Sequence, residues 1–164
     1  MSVAEKLEML ARHLPGVAGY QDQESSRDTD KLVRTRLAEM LTSTARRLDD
    51  DKRRLAEARH FAPLPELERL GSRVTSAANL ILYASRGYRG FLDLHKVTQE
   101  KLDRLYTFDI ELFDEVGKIA SSGAAVGAAV ESPARLRLAM DGLREAIDGL
   151  EATFAKRQHI LTET

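Results

Sequence analysis

The chain has 164 residues, of which 43% are hydrophobic, 31% are charged and 5% are aromatic. A chain of this length can bury the core of one domain without disulfides or structural metals. The composition excludes a disordered chain, and it favours helices over strands because Ala, Leu, Arg and Glu form helices well.

The charges balance, with 25 Lys and Arg against 26 Asp and Glu and a net charge of -1. Nucleic-acid-binding domains are usually basic overall, so no nucleic-acid partner is expected. There is no Cys, which excludes disulfides and thiolate metal ligands and fits a reducing compartment. The N-terminal sequence lacks the apolar region of a signal peptide, and no stretch of about 18 apolar residues occurs. We therefore expect a cytoplasmic protein.

A short amphipathic helix is predicted over residues 2–14, where apolar residues recur at spacings of four and three: Val3, Leu7, Leu10 and Leu14. Pro15 and Gly16 end it. A helix this short is marginal alone in water, so we expect it to dock on the rest of the chain.

The same spacing predicts a long helix over residues 22–60. The positions at this spacing form a stripe that faces the core, here called the seam of the helix: Val33, Leu37, Leu41, Thr44, Leu48, Asp51 and Leu55. Pro63 and Pro65 interrupt the pattern. A second long helix is predicted over residues 66–92, with Leu67, Leu70, Val74, Ala77, Ile81, Tyr88 and Phe91 on its seam.

A third long helix is predicted over residues 98–120. A single helix from Leu67 to Ile119 is the alternative, because the apolar rhythm continues through the linker; Gly87 and Gly90 favour a break. The small residues 121–130 are expected to form either a flexible loop or a helical extension. Ser132 and Pro133 start a last helix, predicted over residues 133–161.

Short connections between long helices are typical of antiparallel neighbours. The predicted fold is therefore all-α: one domain, residues 1–164, forming an antiparallel up-down-up-down four-helix bundle with a short extra N-terminal helix.

Carboxylates interrupt the apolar seams at Asp30, Asp51 and Asp109. The predicted topology places Asp30 and Asp109 in the same half of the bundle, with the end of the second long helix. A buried carboxylate costs several kcal/mol unless it is paired, so we expect Asp30 and Asp109 to have Arg, Tyr or Lys partners, above all Arg34, Arg86, Tyr88 and Arg89. The candidate binding residues are Asp30, Arg34, Arg86, Tyr88, Arg89 and Asp109.

Two interpretations of this cluster remain open. It is either a buried polar network that fixes helix register, as polar seam residues do in coiled coils, or a pocket for a small ligand or a metal ion.

The run from Arg46 to Arg54 alternates basic, acidic and basic residues. We expect pairs at i,i+4 spacing, Asp49 with Arg53 and Asp50 with Arg54, on a solvated helix face.

Catalytic and cofactor motifs are missing from the sequence. Glu57 and His60 match one Glu-x-x-His pair of a di-metal bundle, but there is no second pair. There is no His-Glu-x-x-His, no Gly-x-Ser-x-Gly, no P-loop and no dinucleotide fingerprint. We therefore expect a non-enzymatic protein with no catalytic residues, no metal and no cofactor.

The sequence favours a protein that acts through protein–protein contacts, as an adaptor, regulator or assembly subunit, with a protein partner or with itself. Apolar residues beside the seams are candidates for a self-association face: Leu32, Met40, Leu80, Leu82, Tyr106, Phe108 and Phe113. The alternatives are a ligand- or metal-binding bundle that uses the polar cluster, and a peripheral membrane coiled coil carried by the N-terminal helix.

Overall fold

A computed structural model describes the backbone of residues 1–14, 23–84 and 99–162. Within these ranges it describes all side chains except those of residues 23–28, 99, 101, 102 and 157–162. The described chain contains five helices and no strand, which confirms the predicted all-helical class. The helices are α1 (Val3–His13), α2 (Gln23–Glu57), α3 (Leu64–Tyr83), α4 (Gln99–Ala129) and α5 (Pro133–Thr162).

The end of α2 is closed by two backbone hydrogen bonds. The His60 N–H donates to the Leu55 carbonyl at 2.8 Å, and the Arg59 N–H donates to the Ala56 carbonyl at 3.0 Å. This is the Schellman arrangement, which requires a left-handed residue where Gly is usually found. Arg59 occupies that position with φ 58°. The chain then turns through two prolines into α3, as the sequence predicts.

Helix α4 continues through the small residues 121–130 almost to their end, so the helical extension is confirmed and the flexible loop is wrong. The reason is packing against α2. Gly123 lies against Thr44, and Gly127 lies against Asp51. The small residues let the two helices approach closely, and this contact outweighs the low helix propensity of glycine.

Pairs of contacting residues give the relative directions of the helices. Helices α2 and α3 run in opposite directions, as shown by contacts of Arg34 with Leu82 and Lys52 with Glu68. Helices α2 and α4 run in the same direction, as shown by contacts of Thr44 with Gly123 and Asp51 with Gly127. Helices α3 and α5 also run in the same direction, as shown by Glu66 with Arg144 and Arg73 with Glu151.

The helices that pack against each other are not all the predicted ones. The sequence predicts that each long helix packs on the next in the chain. This holds for α2 with α3 and for α4 with α5, whereas α4 packs more closely on α2, with both helices parallel, than on α3. Helix α3 runs opposite to α2, and α4 runs parallel to α2. Helices α3 and α4 are therefore antiparallel. One straight helix from Leu67 to Ile119 is therefore excluded. The predicted last part of the second helix, residues 85–92, lies outside the described residues.

The predicted seams form the core, and α1 packs against it. Leu37, Leu41, Leu48, Leu112, Ile119 and Leu143 are among the fully buried side chains. Lys6 of α1 donates to the Asp103 carboxylate at 2.6 Å and to the Thr107 hydroxyl at 2.8 Å, and both residues lie on α4. His13 stacks on Phe113 with a centroid distance of 4.7 Å. The docking of α1 on the remaining helices is thus as predicted.

None of the helices in the described ranges combines the length and the apolar character that a membrane crossing needs.

Candidate functional site

The predicted polar cluster begins with an ion pair on α2. Asp30 is only 4% exposed, and the Nε of Arg34 donates to its Oδ2 at 2.9 Å. The Nη1 of Arg34 also donates to the carbonyl oxygen of Leu82, near the end of α3, at 2.9 Å. The guanidinium therefore joins α2 to α3, and the predicted pairing of Asp30 with Arg34 is confirmed.

Asp109 brings α4 into the same cluster. It is 1% exposed, and burial raises the pKa of its carboxyl well above the usual range. The negative charge of Asp30 raises this pKa further, while the positive charge of Arg34 opposes the shift. The protonated form of Asp109 therefore persists to higher pH than in an exposed aspartic acid.

Three of the six predicted site residues, Arg86, Tyr88 and Arg89, lie outside the described residues. The other three, Asp30, Arg34 and Asp109, come together as the topology argument expected.

Metal ligation has no support in the described part of the chain. There, no group of three or more His, Asp or Glu side chains is placed to hold a metal ion. Glu57 and His60, the sequence match to a di-metal motif, are both exposed at the end of α2.

A third buried carboxylate lies at the opposite end of α2 from Asp30. Asp51 is 6% exposed, and burial raises the pKa of its carboxyl, an effect that Arg54 opposes. The Nη1 of Arg54 donates to the Asp51 carboxylate at 3.0 Å and to the Gly127 carbonyl at 3.1 Å. Arg54 therefore joins α2 to the end of α4.

The predicted i,i+4 pairs of this charged run are wrong. The observed pairs have i,i+3 spacing: Lys52 with Asp49, Arg53 with Asp50 and Arg54 with Asp51. The cause is the burial of Asp51 against α4, which attracts Arg54, while Lys52 also reaches Glu68 of α3.

A different kind of surface lies between α3 and α5. Ion pairs join the first half of α3 to α5: Glu66 with Arg144 at 2.5 Å, and Arg73 with Asp148 at 2.6 Å and with Glu151 at 2.9 Å. Beyond Arg73, residues 74–84 contain no charged side chain. There the two helices leave a groove of about 260 Å³, lined by Ser76, Ala77, Leu80, Ile81, Leu150, Glu151 and Phe154.

The exposed side of α3 beside this groove is uncharged and carries two large side chains. Leu80 is 55% exposed and Tyr83 is 71% exposed. We use the term α3 face for these two residues together with the exposed Ser72, Ser76 and Asn79. Ser72, Ser76, Asn79 and Tyr83 repeat at spacings of four, three and four, so they form one stripe along the helix.

Only part of this surface is predictable from the sequence. Of the apolar candidates for self-association, Leu80 and Leu32 are exposed. Tyr106 and Phe113 are buried, so their assignment to such a face is wrong. Met40 and Leu82 are half-buried and pack against the core. Phe113 is covered because His13 of α1 stacks on it, a contact that the seam pattern of α4 alone does not predict. The signal that identifies the α3 face is the run of eleven residues without charge.

The molecule therefore presents a buried polar cluster and an exposed uncharged helix face. Comparisons of the chain with protein-family models, with curated proteins and with solved structures gave no match.

Proposed function

We propose that this protein is a non-enzymatic, cytoplasmic helical bundle that acts by binding protein, and that the α3 face is its binding surface. The observation that carries the proposal is the absence of charge from residues 74–84, which include the exposed Leu80 and Tyr83, in a chain that is 31% charged. The centres of protein interfaces are depleted in charged residues and enriched in aromatic ones. An adaptor, regulator or assembly subunit would use such a surface.

The size of the groove supports a protein partner. Sites for drug-sized ligands usually enclose about 300–1,000 Å³, and this groove holds about 260 Å³. Its lining is mostly apolar, with Glu151 at the edge. A few apolar side chains from another helix would fill it, in the way that amphipathic helices dock in grooves.

The bundle supplies a rigid platform for that surface. We propose that α2, α3, α4 and α5 form one four-helix domain with up-down-up-down chain directions, in which α2 and α3 pack beside α4 and α5 respectively. In this proposal the cluster of Asp30, Arg34 and Asp109 is structural and fixes the register of α2, α3 and α4. Buried polar groups serve such a role in coiled coils.

Site-specific photo-cross-linking in cells that naturally produce the protein tests the proposal. A photoreactive residue replaces Asn79, at the centre of the α3 face. The control site is Glu111, which is exposed on α4. We expect a discrete protein adduct from position 79 that is absent from position 111. No adduct from position 79, or the same adducts from both positions, would contradict the proposal.

A further inference from the structure

We infer that the partner of the α3 face is a second copy of this chain, related by a two-fold axis that crosses the exposed side of α3 at the level of residue 78. The inference rests on the proposed function and deepens it by naming the partner. It follows from the distribution of large and small side chains along α3, and from the lack of charge on the α3 face.

The small residues lie in the first part of the face and the two large residues lie at its end, so two antiparallel copies of the face are complementary. Leu80 projects from the face, and one turn earlier Ser76 is a small residue at the edge of the groove. If two copies of α3 pack antiparallel, Leu80 of each copy lies against Ser76 of the other. The same register places Tyr83 of each copy level with Ser72 and Arg73 of the other. A two-fold interface requires this kind of self-complementary surface.

Charge also favours pairing of the face with itself. A surface that meets its own copy places identical residues close together, so charged side chains would repel across the axis. The α3 face has none. Arg73, at its edge, is already neutralised by Asp148 and Glu151 of α5. By contrast, the exposed side of α2 carries Arg36, Arg46 and Arg47.

Small residues allow the close approach that the pairing needs. Ser72, Ser76 and Asn79 form most of the stripe, and small side chains at a helix contact reduce the distance between the helix axes. Leu80 then enters the groove of the opposite copy, where Ile81, Leu150 and Phe154 provide apolar contact, while Tyr83 packs over Ser72.

Sedimentation equilibrium of the purified full-length chain tests the inference. We expect the mass to rise with concentration from the 18.3 kDa of one chain to twice that value. Leu80→Glu should weaken the dimer about a hundredfold, because every dimer contains the substitution twice. Leu138→Glu is the control, since Leu138 is 73% exposed at the start of α5. Both leucines are exposed, so neither substitution should unfold the chain, and thermal melting verifies this.

Cross-linking locates the two-fold axis. The chain contains no Cys, so Asn79→Cys introduces a single thiol next to the axis, and Arg137→Cys introduces one on an exposed part of α5. A short bis-maleimide reagent should join two copies through position 79 and not through position 137. Equal cross-linking of both variants would overturn the proposed axis.

A chain that remains a monomer at every concentration would overturn the inference. If position 79 then yields an adduct with a different protein in cells, the proposed function survives and only the choice of partner fails. If position 79 yields no adduct either, both fail.

Discussion

Gly123 of α4 lies so close to Thr44 of α2 that a Cβ at position 123 would be 2.7 Å from the Thr44 methyl carbon. The methyl group has little freedom to move, because the Thr44 hydroxyl donates to the Met40 carbonyl at 3.1 Å. Packed atoms cannot approach this closely, so glycine at position 123 is what permits the parallel α2–α4 contact.

We therefore expect Gly123→Ala to destabilise the protein by about 1–3 kcal/mol, the usual cost of inserting a methyl group into a filled contact. The matched control is Gly117→Ala on the same helix, where an added Cβ meets no atom within 4 Å. The control should raise the free energy of unfolding by up to about 1 kcal/mol, because Ala is the better helix former. Urea unfolding measures both. An equal stabilisation by the two substitutions would contradict the close α2–α4 packing.

Asp109→Asn should remove part of the pH dependence of stability. Burial raises the pKa of Asp109 well above its unfolded value, so the folded state binds more protons than the unfolded state in the interval between the two pKa values. The free energy of unfolding therefore falls as pH rises through that interval, with a limiting slope of about 1.4 kcal/mol per pH unit. Asparagine does not titrate, so the variant should lack this fall.

Urea unfolding of the wild type and Asp109→Asn at a series of pH values from 4 upwards measures the effect as a difference. The stability advantage of the variant should grow with pH until Asp109 is ionised in the folded state. Parallel curves for the two proteins would mean that Asp109 titrates normally and that the electrostatic description of the cluster is wrong.

Arg34→Gln should destabilise the protein by about 3 kcal/mol, since it removes a buried ion pair from Asp30 and a hydrogen bond to Leu82. The control is Arg53→Gln, whose pair with Asp50 is exposed and should contribute less than about 1 kcal/mol. Thermal melting near neutral pH separates the two. A similar small loss for both would show that Arg34 does not hold α2 and α3 together.

Arg59→Gly should stabilise the protein by about 1 kcal/mol. Arg59 adopts a left-handed backbone conformation, with φ 58°, which costs most residues about 1–2 kcal/mol and glycine little. Arg59→Ala keeps the strain and is the matched control. If both variants melt at the same temperature, the strain at the end of α2 is not significant.

Several features of the fold follow from the sequence because they depend on spacing within one helix. The seam positions such as Leu37 and Leu41 are buried, and Asp30 pairs with Arg34 one turn away. Which helices pack against each other depends instead on how the side chains of two helices fit together. Glycines at 123 and 127 signal a close contact in the sequence, but only the folded chain places them against Thr44 and Asp51.

The candidate site also has one part that the sequence predicts and one part that it predicts only incompletely. The polar cluster was predictable because a charged residue on an apolar seam is conspicuous by its position. The α3 face was only partly predictable. A seam pattern identifies the residues that face the core, and it does not show which exposed residues form an uncharged surface. Which exposed apolar side chains remain uncovered depends on where α1 and α5 pack.

The most direct test of the central claim, that a second copy covers the α3 face, is the fluorescence of Tyr83→Trp. The chain has no native Trp, so the emission reports on position 83 alone, which is 71% exposed in the single chain. Dilution of a concentrated sample should shift the emission maximum from shorter to longer wavelength as the dimer dissociates. Leu138→Trp should emit at long wavelength throughout. An emission maximum at position 83 that stays at long wavelength at every concentration would contradict the claim.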